Sequence, residues 1–316
     1  MKRFLQVSAL ALCAGLLLSA PALATSPDNS ASGLVSRAHV YSVKPGEPAW
    51  NALHDHDQKA AACHVASDEL SRMTTDAVVQ TVLDYPLLVD VFAYDTLEEG
   101  IERVSAQFAG LSELRSRADA AKVLGNLKDK SSAGNQRYRN LCISVLKDYV
   151  SQSSPVERQV SLVAPAYTTS HVLTPKLSWV STLYRLPWSA HYYQGTTMTY
   201  QLALAVSQAA RSVYPSATIV GNPSSTYNCH SYAWYSTSSS NPHWMNSPSA
   251  YMSDGSYRSS SCQVGARVWY GMGGHSAIVA QTGFRPRVTS KWGCLAVFSH
   301  YYNDCPYGSN VTYWVR

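Results

Sequence analysis

Apolar positions along this chain change their period part-way. Between about residues 60 and 150 they recur every three or four positions, the spacing of a buried helix face. Thr75-Asp76 opens one such run, which carries Val78, Val79, Val82 and Leu83 and stops at Tyr85-Pro86. Thr96 and Glu99 form a capping box ahead of Ile101, Val104 and Phe108. Further helices are predicted across residues 111–127 and 138–150. Another is predicted at 199–213, with Leu202, Ala205, Val206, Ala209, Ala210 and Val213 on one side. After Ser261 the pattern becomes that of strands, at residues 266–270, 276–280, 287–292, 295–300 and 311–315. Between them, residues 236–261 are rich in Ser, Asn, Pro and Tyr and read as loop. The pattern predicts an α+β chain: a helical domain over 25–155, a Ser/Pro-containing linker over 156–170, and a second domain over 171–316.

Residues 1–24 read as a secretory signal peptide. Lys2 and Arg3 are the positive start, residues 4–18 the apolar core, and Ala22-Leu23-Ala24 the cleavage site. The expected product is exported, periplasmic or extracellular, with no membrane span after the signal is removed. The whole-chain charge of +5 hides an asymmetry. Residues 171–316 hold nine Lys or Arg and only two acids, Asp254 and Asp304, which makes that part +7. Residues 25–170 hold fourteen cations and eighteen acids, or −4.

The shortage of carboxylates narrows the chemistry of the second part. A glycosidase of the usual kind needs two carboxylates flanking the scissile bond, and a Ca²⁺ or Mg²⁺ site needs several. No G-x-S-x-G elbow is present for a serine hydrolase. What remains is a thiol. Asn228 is a good N-cap, which places Cys229 at the first helical position, where unpaired backbone N–H groups favour a thiolate. Residues 232–235 give that helix a face to bury. The glycines at 271, 273 and 274 turn the chain into a strand that opens with His275.

The blocks Asn228-Cys229-His230-Ser231-Tyr232-Ala233-Trp234 and Gly274-His275-Ser276-Ala277-Ile278-Val279, with Gly265-x-Arg267-Val268 between them, resemble the papain-like bacterial cell-wall cysteine hydrolases of the CHAP and NlpC types. The resemblance covers roughly residues 225–316 and departs from the usual Gly-Asp pair, having Gly265-Ala266 there. It implies a papain-like domain with a central antiparallel sheet. It also implies a Cys229 nucleophile, His275 as general base, and a third polar group on the next strand that orients His275. Lys291 has no acceptor for that role. Ser290 and, on the following strand, His300 can accept, and His300 is preferred. The implied activity is amidase or endopeptidase cleavage of amide bonds in peptidoglycan peptides, with no cofactor and no metal. A secreted effector that cleaves or deamidates a protein, and a non-catalytic wall-binding module, stay open as alternatives.

Several residues admit plainer readings. The six cysteines after the signal permit three disulfides, so Cys229 is open to being structural. Cys63 with Cys142 is the natural bridge, and one pair among Cys262, Cys294 and Cys305 is expected. His230 points about 100° from Cys229 on a helix and is expected to pack or touch substrate. The His54-Asp55-His56-Asp57 run, with Cys63-His64, matches no zinc spacing and reads as a solvated loop. Trp244, Tyr251 and Tyr257 lie in loop-like sequence and are candidates to stack on a glycan. Nucleic acid is not expected as a partner of an exported chain. Finally, opposite charge on the two halves predicts that the helical part docks on the basic part, either covering the Cys229 cleft or packing permanently.

Overall fold

In a computed structural model, residues 33–127, 133–151, 190–191, 198–271 and 274–316 are described. The predicted signal segment and the proposed linker lie outside them. The first half is helical, as its period demands. It contains α1 (Pro48–Asn51), α2 (His56–Ala62), α3 (Ser67–Ser71) and α4 (Thr75–Leu83), then a 3-10 turn (Leu88–Phe92). After it come α5 (Leu97–Ser105), α6 (Ala109–Ser116), α7 (Ala120–Asn126) and α8 (Ala133–Ser151). The caps behave as the sequence implies. Thr74 Oγ1 accepts the Ala77 N–H at 3.3 Å, and Thr96 Oγ1 accepts the Glu99 N–H at 3.1 Å. The single helix expected over 111–127 is two, broken between Ser116 and Ala120.

The two-residue strand β1 (Ala190–His191) pairs with β3 (Trp244–Met245). Helix α9 (Tyr200–Val213) starts at the Thr199 cap and buries Ala203, Val206, Ala210 and Val213. The other strands are β2 (Thr218–Gly221), β4 (Arg258–Ser260), β5 (Arg267–Tyr270), β6 (His275–Gln281), β7 (Arg287–Lys291), β8 (Val297–Tyr301) and β9 (Val311–Val315). They form one antiparallel sheet in the order β2-β8-β7-β6-β5-β9-β4. The α+β class therefore holds, with a seven-stranded antiparallel sheet. The sequence pattern missed the two edge strands of this sheet, β2 and β4, and the small β1–β3 pair. β4, and helix α10 (Ser249–Ser253) before it, come from the stretch read as loop.

Alternation along the strands separates two cores. Val268, Tyr270, Ala277, Val279, Val288 and Phe298 join the helical residues Trp50, Val78, Leu88 and Leu111 in one large cluster. The opposite face carries Trp269, Ile278 and Trp314 against Ala233, Trp234, Met245, Tyr251 and Tyr257. Residues Leu34–Arg316 form one compact unit, so the helical half and the sheet share a core across the proposed boundary.

Three expectations are corrected by burial. Trp244, Tyr251 and Tyr257 are 3 %, 1 % and 3 % exposed, the two tyrosines packed around Trp234, and offer no face to a glycan. Cys63, Cys142, Cys229, Cys262, Cys294 and Cys305 are thiols, none joined in a disulfide. Cys63 and Cys142 serve instead as small apolar groups of the large cluster. The His54–Asp57 run is not a solvated loop. Asp55 caps α2 by accepting the Gln58 N–H, and His56 is buried against Asp90 at 3.1 Å.

Candidate active site

Asn228 caps the Cys229 helix as its sequence predicts. Its Oδ1 accepts the Ser231 N–H at 3.1 Å, and its carbonyl accepts the Tyr232 N–H at 2.9 Å. Cys229 is the first residue of that turn. After His230 the helix widens into a π turn over Ser231–Tyr235, closed by Ser236 N–H to Ser231 O at 3.0 Å. Single π turns of this kind gather at functional sites.

The helix lies on β6. Ser276 Oγ accepts the Trp234 indole N–H at 2.8 Å and shares a hydrogen bond with His230 Nδ1 at 2.8 Å. The backbone N–H groups of Ser276 and His230 lie near enough to the Cys229 sulfur to favour its ionised form. The structure thus brings the thiol to the strand that opens with His275. It does not bring about the low-pKa thiolate expected there. Burial first, and then the charges of Asp95 and Glu99, hold the thiol well above the ordinary cysteine range, against those two N–H donors. Cys229 is only 2 % exposed, and loss of water outweighs the helix start.

His275 turns toward the large cluster, on the face opposite Ser276. Its ring stacks on Tyr307 at 3.4 Å, and its Nε2 has no hydrogen-bond partner among the described residues. Burial, with His300 and His230 nearby, keeps it neutral, well below the usual histidine range. Neither group proposed to orient it makes a hydrogen bond to it. Ser290 Oγ bonds His300 Nε2 at 2.8 Å and accepts the Trp292 indole N–H at 3.1 Å. His300 Nδ1 bonds Tyr301 O at 2.8 Å. Both groups are therefore occupied with each other and with their own strands. His230 packs, as expected from its position beside Cys229, and burial takes it down to about 3.

The helical half supplies what sequence reasoning missed. Residues 93–99 lie across the site. Tyr307 Oη donates to Ala93 O at 2.6 Å, and Tyr94 Oη donates to Pro306 O at 2.7 Å. Gly293, at φ +45°, passes so close that a Cβ there would stand 2.3 Å from Tyr94 O. Asp95 Oδ2 accepts the Asn228 Nδ2–H at 2.6 Å. Burial raises the Asp95 carboxyl to about 7 despite that bond. Lys291, fully buried, donates to Ser224 O at 2.8 Å and Gly293 O at 2.7 Å and forms no ion pair among the described residues. Burial lowers it to about 8. Asp95 stands one position before a capping box, and in the sequence that box accounted for the segment.

No protein-family model, curated protein or solved structure matches this chain.

Proposed function

We propose that this chain is an exported cysteine hydrolase that cleaves amide bonds in peptidoglycan peptides, through a papain-like arrangement of Cys229 and His275. One observation carries the reading. The helix that Cys229 starts is tied to β6 through Ser276 Oγ, which is 2.8 Å from both His230 Nδ1 and Trp234 Nε1, and this supports a helix-start thiol beside the strand opened by His275. Among the described residues no helix is long and apolar enough to cross a membrane.

In the proposed reaction His275 is neutral and ready to accept a proton. It takes the thiol proton, and the sulfur attacks the amide carbon. The oxyanion is held by the Cys229 backbone N–H. As the C–N bond breaks, the imidazolium returns the proton to the leaving amine. Water then attacks the thioester, with the imidazole taking its proton, and frees the thiol. The thiol and imidazole share no hydrogen bond in this state. Catalytic contacts commonly tighten only when substrate is bound.

The burial of Cys229 favours a second reading, a wall-binding module whose thiol is structural. One experiment separates the two. Mature protein is incubated with purified peptidoglycan, and the released ends are identified by mass. Cys229→Ser and His275→Ala should each abolish release while retaining the wild-type circular dichroism. Release by Cys229→Ser at the wild-type rate overturns the hydrolase reading. Wall binding with no release by any form, wild type included, establishes the second.

A further inference from the structure

Asp95 is joined to the nucleophile's helix by a bond network with only one consistent arrangement. Asn228 Nδ2 donates to Asp95 Oδ2 at 2.6 Å and to Met245 O at 2.7 Å, which uses both of its hydrogens. Asn228 Oδ1 accepts the N–H groups of Ser231 at 3.1 Å and Met245 at 3.2 Å. Were the amide reversed, its oxygen would face a carboxylate and its NH₂ would face two N–H donors. Asp95 thus acts with Met245 to hold the Asn228 oxygen toward the helix start. The Trp244 side chain also donates to it. The same carboxylate is the foremost charge acting on the Cys229 sulfur.

We propose that Asp95 is a positioning residue of the Cys229 site: it helps to fix the Asn228 amide that starts the nucleophile's helix, and through that bond it sets a carboxylate beside the Cys229 turn. This rests on the reading of Cys229 as nucleophile. The charged and titratable groups around Asp95 among the described residues include Glu99 on α5, Lys291 on β7, Tyr307 after β8 and the Cys229 thiol. Glu99 opposes its ionisation and Lys291 assists it. Arg103, at 3.4 Å from Glu99, partly offsets the former. The arrangement makes a residue of the helical half part of a site whose two named reactants lie on the sheet side.

The test uses full mature protein labelled with ¹³Cβ-cysteine and followed by NMR across pH, the Cys229 resonance being the one lost in Cys229→Ser. Asp95→Asn keeps an oxygen that accepts from Asn228 and removes the charge. Its Cys229 resonance should begin to titrate at lower pH than in wild type, with the resonances of Cys63 and Cys142 unmoved. Asp95→Ala removes both the bond and the charge, and its turnover of peptidoglycan should fall by roughly 100-fold. Asp95→Asn should recover most of that loss. Superimposable Cys229 titrations in Asp95→Asn and wild type overturn the proposal, as does wild-type turnover in Asp95→Ala. If Asp95→Ala does not fold, the Asp95→Asn titration decides alone. The titration needs no activity, so an active Cys229→Ser condemns the nucleophile and leaves the Asp95 result standing.

Discussion

Two buried polar clusters join the helical half to the sheet, and they are built on opposite plans. In the first, every charge meets its complement. Lys59 pairs with Asp304 and donates to Leu53 O at 3.1 Å, and Asp304 Oδ2 accepts the Ser216 hydroxyl at 2.6 Å. Asp90 takes His56 Nε2 at 3.1 Å and the Tyr214 hydroxyl at 2.9 and 2.8 Å. In the second, around Cys229, among the described residues His275 Nε2 has no partner and Lys291 donates only to carbonyls, and the thiol is held un-ionised. Both clusters bear the cost of desolvation, but only the first offsets it with paired charge. Unsatisfied, strongly shifted groups packed together are what a reacting site retains and a structural seam does not.

That contrast can be broken in four places. His275→Ala should lower turnover by about 10²- to 10⁴-fold, the usual loss of a general base. Its cost in stability should be that of the lost Tyr307 stack alone, because Nε2 makes no hydrogen bond among the described residues. Equal losses of stability and rate would make His275 a structural residue. Asp304→Asn should do the reverse: it leaves Lys59 buried without a counter-charge and should cost about 3–5 kcal/mol in urea unfolding. A cost under about 1 kcal/mol, the range of exposed pairs, would show that the pair is hydrated. Asn228→Ala removes a cap and should cost about 1–2 kcal/mol, with a further loss of turnover because the Cys229 turn loses its anchor.

The last comparison is in pH. His56 is opposed by burial but raised to about 9 by its bonds to Asp57 and Asp90, from an ordinary 6.5. Its contribution is therefore complete below 6.5 and is lost as pH rises through about 9. Asp95 is raised from 3.8 to about 7, so the folded state holds that proton more tightly and stability falls as pH rises across 3.8 to 7. His56→Gln should flatten the upper window alone, and Asp95→Asn the lower alone. Thermal unfolding from pH 4 to 9.5 checks this. A variant that flattens both windows would mean that the clusters are one.

Much of this was legible in the sequence because it is local. The helix expected at Thr75-Asp76 starts there, Thr96, Thr199 and Asn228 cap the helices they precede, and β9 falls where its pattern places it, at Val311–Val315. Position at a helix start is likewise a local property, and it located Cys229. The state of its thiol is not local, since it depends on Asp95 and Glu99 arriving from more than a hundred residues away. The same applies to Trp244, Tyr251 and Tyr257. Their surroundings look like loop, yet all three are buried, the two tyrosines by Trp234 and the outer face of β5, β6 and β9. Charge counting suggested that opposite fields hold the halves together. The seam is in fact a shared apolar core with charges paired inside it, a partition that composition does not reveal. Ser290 and His300 were legible as acceptors, but their choice of each other over His275 is a matter of register between β7 and β8.

The most direct test of the account is to catch the acyl-enzyme. Mature protein is mixed with a stoichiometric amount of soluble peptidoglycan peptide, quenched in acid within one turnover, digested, and mapped by mass. The account predicts one adduct, the mass of the acyl fragment on the peptide that contains Cys229, absent from Cys229→Ser and accumulating in His275→Ala only at high pH. Turnover that proceeds with no adduct on that peptide and survives in Cys229→Ser would contradict it.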